Sequence, residues 1–137
     1  MTDQPHLSAG DVGSFVIGGM AGVLAGGAMR RQGRRGDVLG SGMGLLAAAA
    51  IYPLARRTVA GGGLGLELGT AAASIALTGV AARHHDSTTA RRLIAGGWAA
   101  HAAFDLLRGP SPDSRLPRTY PALCAGFDLA LALRLAR

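Results

Sequence analysis

The chain has 137 residues, 49% hydrophobic and only 16% charged, which excludes a disordered chain and leaves a single globular or membrane domain. Aromatics are scarce at 4% while glycine reaches 22 residues, poor material for a water-driven core but suited to helices that pack backbone to backbone in lipid. All 14 basic residues are arginine and give the chain a net charge of +6; they cluster between apolar runs without any nucleic-acid recognition motif, so the pattern points to a membrane protein and away from nucleic acid.

Residues 1–10 are polar and carry no basic residue ahead of the first apolar run. They do not read as a cleavable secretory signal, and the first helix is expected to be retained. Five apolar helical segments follow, at 12–29, 38–55, 59–82, 91–107 and 120–136, each near the ~17–25 residues that cross a bilayer. The sequence therefore predicts an all-α integral membrane bundle of about five up-and-down transmembrane helices in a single domain, 1–137. Because alanine and glycine keep each span only mildly hydrophobic, a soluble helical bundle is the structural alternative.

The first span carries a row of small residues at four-residue spacing, Ser14, Gly18, Gly22 and Gly26. The third repeats it with Gly61, Gly65, Gly69 and Ala73. Such rows let helices approach closely enough for van der Waals contact to hold them in lipid. The connectors are short and rich in arginine, which forces neighbouring helices antiparallel. Alternate sides then receive nine and five of the arginines, and the positive-inside rule places the chain in the cell membrane with its N-terminus outside and its C-terminus cytoplasmic.

Three carboxylates and one histidine fall inside the apolar segments: Glu67, Asp105, Asp128 and His101. A charge at membrane depth costs at least ~2.5–3.5 kcal/mol, so such groups are normally kept for ion, proton or substrate chemistry. On the third segment Glu67, Thr70, Ser74 and Thr78 form a stripe away from the glycine row. On the fourth, Trp98, His101 and Asp105 share a face, and on the fifth Tyr120, Cys124 and Asp128 do. At 1.5 Å rise per residue Glu67, His101 and Asp128 lie ~9–12 Å below one surface, and Asp105 and Cys124 ~3–6 Å below it, so the first three are expected to converge.

A histidine among carboxylates suits general acid/base chemistry or a proton relay. In the leading reading His101 and Asp128 exchange protons with a lipophilic small molecule or membrane lipid, Glu67 or Asp105 fixes the histidine tautomer, and Trp98, Tyr120 and Cys124 line the pocket. Isomerisation, cyclisation and hydrolysis all fit, and no cofactor is required. The same His101, Asp105, Glu67 and Asp128 set could hold a divalent metal instead, although a lone His-x-x-x-Asp is a weak signature. A second class of function is proton- or cation-coupled transport by a homo-oligomer, with Glu67 as coupling carboxylate. A third is a structural membrane subunit.

Plainer roles stand beside these. Asp105 can cap its helix or pair with Arg108, His101 can bond a backbone carbonyl, and Trp98 can simply pack. Cys124 can be a small apolar residue, and as the lone cysteine it excludes an internal disulfide and a multi-cysteine zinc cage. His84 and His85 read as loop residues.

The run Gly97-Trp98-x-x-His101-x-x-x-Asp105, followed by Pro117-x-x-Tyr120-Pro121-x-x-Cys124-x-x-x-Asp128, resembles a signature of small uncharacterised bacterial multi-span membrane proteins. The resemblance covers the last third of the chain and implies that these positions belong together, without bringing an activity with it. Gly-x-x-x-x-Gly-Lys, His-Glu-x-x-His and Gly-x-Ser-x-Gly are all missing, which excludes the usual nucleotide, zinc-protease and hydrolase frameworks.

Overall fold

The computed structural model describes residues 8–59 and 62–137. Within them the chain forms five helices, α1 (Ala9–Arg30), α2 (Gly33–Leu54), α3 (Leu64–Arg83), α4 (Thr88–Leu107) and α5 (Tyr120–Ala136), and no strand. The polar leader read as retained lies outside the described residues for positions 1–7, as does Gly61 of the third-segment glycine row.

Local chemistry sets the helix ends. Ser8 caps α1 through a capping box, accepting from the Asp11 backbone N–H at 3.1 Å while its own N–H donates to the Asp11 carboxylate at 3.0 Å. Ser87 caps α4 in the same sense, accepting from the Ala90 N–H at 3.0 Å. Gly63, at φ +93, and Gly109, at φ +59, take left-handed backbone at the start of α3 and just beyond α4, where a side chain would be strained. Only Arg31 and Gln32 separate α1 from α2, so those two helices must turn back on each other. At the opposite end two longer connectors meet and pair. The Arg57 N–H donates to the Asp113 carbonyl at 3.2 Å, and the Arg115 N–H to the Ala55 carbonyl at 2.9 Å.

α1, α2 and α3 are long and apolar enough to cross a membrane. Only 17% of the α1 span is buried, and Val16, Ile17, Met20, Val23 and Leu24 all face outward. In water that surface would be a large unfavourable apolar patch; in hydrocarbon it costs nothing. α4 carries Arg91 and Arg92 in its first turns and α5 is only 17 residues long, so neither reads as a span by length and composition alone.

Trp98, Leu45, Ile94, Leu131, Leu135 and Val38 fill the space between α2, α4 and α5 with almost no exposure. α1 packs chiefly against α5. The fit there is backbone on backbone: a Cβ added at Gly18 would lie 1.8 Å from the Leu123 carbonyl oxygen, and one at Gly126 would lie 2.0 Å from that of Phe15. The first-segment row is thus a packing seam. The third-segment row is not, since Gly65 and Gly69 have nothing within 4 Å of a built Cβ and Ala73 is exposed. α3 turns its other side inward, burying Glu67, Ser74 and Thr78; Glu67 meets Arg56 and Thr78 donates to the Gly42 carbonyl of α2, while Ser74 bonds back to the Thr70 carbonyl of its own helix.

Candidate functional site

α4 and α5 each deliver a face at i, i+4 spacing, and the two faces meet near the long-connector end of the bundle. His101 on α4 is 2% exposed and sets its Nδ1 2.8 Å from an Asp128 carboxylate oxygen on α5. Asp105, one turn along α4, comes within 3.6 Å of the same nitrogen. From α2, the Tyr52 hydroxyl donates to the other Asp105 oxygen at 2.6 Å. Three helices therefore contribute to one chain of polar contacts, Tyr52–Asp105–His101–Asp128, in which all four residues are buried.

Ring contacts enclose this chain. The Tyr52 ring lies 5.4 Å from Phe104, 6.2 Å from Tyr120 and 6.3 Å from His101, centroid to centroid. Phe104 and His101 are 6.2 Å apart. Such packing fixes the imidazole plane and excludes water from it, which strengthens every electrostatic contact in the group. Three polar atoms in this region have no hydrogen-bond partner among the described residues: His101 Nε2, Asp105 Oδ2 and Trp98 Nε1.

The other sequence-nominated residues separate from this group. Glu67 does not join it. Its carboxylate accepts from Arg56 Nη1 at 2.9 Å, with the two side chains 5% and 2% exposed. Arg56, read from sequence as a topology charge, folds back from the end of α2 and also donates to the carbonyls of Thr58 and Gly62 at 3.3 Å. A fixed guanidinium close by offsets the desolvation of Glu67 better than a histidine that must be shared, so the carboxylate is drawn to it. Asp105 turns towards Tyr52 and His101 and is not the partner of Arg108. Trp98 sits in the apolar core with its ring 5.8 Å from Phe127, so it packs the site from beneath. Tyr120 closes over Tyr52, and Cys124, one turn on, is a free thiol of intermediate burial.

His101, Asp105 and Asp128 can each offer one atom such that all lie within 4.8 Å of one another, the reach of a metal ligand set. The shortest separation is that of a shared proton, and it is too close for two ligands of a tetrahedral zinc. Two ligands ~2.0–2.1 Å from a tetrahedral zinc stand about 3.3 Å apart, whereas Nδ1 and the Asp128 oxygen are 2.8 Å apart, a hydrogen-bond distance.

Two residues that matter here escaped the sequence reading, Tyr52 and Arg56. Tyr52 sits immediately before Pro53 at the end of an apolar run, where an aromatic reads as an interface anchor. Next to the site lies a cavity of about 250 Å3, lined by Glu67, Phe104, Leu107, Arg108 and Ser111 among others. Phe104 belongs both to this cavity and to the ring cluster around His101. Searches against protein-family models, curated proteins and solved structures return no match to this chain.

Proposed function

We propose that this protein is a membrane-embedded acid/base enzyme acting on a lipophilic small molecule, with His101 Nε2 as the proton-exchanging atom. The observation that carries the reading is the state of the two imidazole nitrogens: Nδ1 is held by Asp128, and Nε2 is buried without a hydrogen-bond partner among the described residues. An imidazole whose Nδ1–H is given to a carboxylate has its tautomer fixed and its Nε2 lone pair directed at whatever enters. Asp128 and Asp105 are then positioning residues, and Tyr52 holds Asp105 in place.

Isomerisation fits this arrangement best, because one proton leaves the substrate for Nε2 and returns at a different atom, with no co-substrate to accommodate. The substrate enters from the 250 Å3 cavity when Phe104 swings aside, placing its polar end near Arg108 and its apolar remainder in the bilayer. A second reading, proton-coupled transport by a homo-oligomer, draws on the outward Gly65, Gly69 and Ala73 row as a subunit contact. The Arg56 partner of Glu67 weighs against that carboxylate as the coupling group.

Comparing lipid extracts of cells expressing the wild type and His101→Gln by chromatography that separates isomers, coupled to mass spectrometry, tests the assignment. A species depleted and an isomer enriched only with the wild type is the expected result. Identical extracts, from two proteins present at equal levels in the membrane, would sink the enzyme reading.

A further inference from the structure

A second hollow lies at the other end of the bundle from His101. It is a groove of about 790 Å3 between α1 and α5 that reaches the α1–α2 turn and the start of α4. Its two halves differ sharply in chemistry. One is lined by guanidinium groups from four different segments, Arg30, Arg34, Arg91 and Arg134, with Asp37 as the single carboxylate; the other is apolar, walled by Phe15, Val23, Leu129 and Leu133.

The basic half is built, not incidental. Asp37 is buried at the start of α2 and stands 2.6 Å from Arg134 Nη2 and 3.6 Å from Arg91 Nε, so one carboxylate orients two guanidinium groups from two other helices. Having met Asp37, those groups keep donors to spare. Arg134 Nε and Nη1 are buried without hydrogen-bond partners among the described residues, while Arg91 Nε is the atom that faces Asp37 at 3.6 Å. Buried guanidinium N–H groups left over in this way are suited to an anion that takes several donors at once, and phosphate is such an anion. Arg30 and Arg34 are exposed beside them and add positive potential.

The apolar half settles which phosphate compound fits. From Arg30 to Phe15 the groove follows α1 for about 22 Å at 1.5 Å per residue, longer than one leaflet of a ~30 Å hydrocarbon core. An acyl chain starting at the arginines therefore runs its leaflet depth against the groove wall. Inorganic phosphate or a nucleotide would use the basic half alone.

We propose that this groove binds one anionic glycerophospholipid, its phosphate among Arg30, Arg34, Arg91 and Arg134 and one acyl chain along α1 and α5. The site is separate from the His101 group and stands whether or not that group is catalytic. It also places the arginine-rich end at the headgroup level of a leaflet that carries anionic lipid, as a basic pocket between spans requires.

The test uses full-length protein purified in neutral detergent, with dioleoyl phosphatidylglycerol, dioleoyl phosphatidylcholine and inorganic phosphate as separate probes. Native mass spectrometry counts retained lipid, and thermal unfolding reports stabilisation. Retention of about one phosphatidylglycerol per chain, with a raised melting temperature that phosphatidylcholine and inorganic phosphate do not reproduce, is the expected outcome. The double variant Arg30→Gln, Arg34→Gln removes two exposed cations, together with one exposed 3.2 Å bond from Arg34 to the Asp86 carbonyl, while leaving the Asp37 contacts intact. It should weaken phosphatidylglycerol retention about tenfold or more, on the order expected for two cations at headgroup level, and keep the wild-type melting temperature in phosphatidylcholine. Equal retention of the two lipids overturns the proposal, and so does equal stabilisation by inorganic phosphate, which would mark a free-anion site. Unchanged retention by the double variant would also overturn it, and the wild-type lipid comparison decides the matter even if that variant folds poorly.

Discussion

His101 Nδ1 and the Asp128 carboxylate meet at 2.8 Å across 27 residues of sequence, joining α4 to α5 inside the bundle. If this contact orients the imidazole, Asp128→Asn should leave the helices intact and lower turnover by about 10²–10⁴-fold, the range of a positioned general base. The substitution should also change the pH dependence of the residual rate, which a merely structural role would not. His101→Gln should abolish turnover. Circular dichroism alongside the rate measurement separates these effects from misfolding, and an unchanged pH profile in Asp128→Asn would remove the positioning role.

The Arg56–Glu67 pair is buried on both sides. Breaking such a pair leaves an uncompensated charge, so Glu67→Leu or Arg56→Met alone should each cost about 3–5 kcal/mol, while the double variant should recover much of the loss. The Arg56 change should be the more severe, because Arg56 also reaches Asp113 at 3.7 Å and two backbone carbonyls. A double-mutant cycle read by denaturation in detergent gives the coupling directly, and purely additive losses would contradict it.

Two glycine rows of the same spacing should respond in opposite ways. Gly18→Ala and Gly126→Ala press a methyl into a facing carbonyl and should destabilise by about 1–3 kcal/mol. Gly65→Ala and Gly69→Ala meet open space and should be neutral or mildly stabilising, by up to ~1 kcal/mol from helix propensity. Melting temperatures of the four variants at one detergent concentration provide the comparison. Destabilisation at Gly65 or Gly69 would point to a neighbouring subunit on that face.

Asp113 ties the two long connectors together. It accepts from the Thr58 hydroxyl at 2.8 Å and from the Ser111 hydroxyl, and these bonds, with Arg56 nearby, lower its carboxyl from 3.8 to about 2. A carboxyl depressed by folding contributes stability that is complete above its unfolded value and is lost as pH falls through the folded one. Stability should accordingly decline between about pH 4 and pH 2. Asp113→Asn should flatten that acid limb in thermal unfolding scans, and an unaltered limb would assign it to other groups.

Most of the architecture was legible in residue periodicity and breakers. Five helices occupy the five apolar segments, with the α3 start moved from 59 to Leu64 and the α2 start moved back to Gly33. The meeting of His101 with Asp128 was legible too, because spacing gave the faces and helix rise gave the depth. What periodicity could not supply was the identity of the neighbour on each face. Glu67 has the right depth for His101, yet the connector after α2 carries Arg56 back to it first. The α1 and α3 glycine rows look alike in sequence, and only one has a helix opposite. Tyr52 and Asp37 stayed hidden because each lies near a helix end, where a polar or aromatic residue has an ordinary explanation.

α5 supplies both the wall against which the glycines of α1 close and the carboxylate that engages His101. Without α5, α1 loses its main neighbour and the imidazole its counterpart, so the close glycine seam and the His101–Asp128 contact stand or fall together.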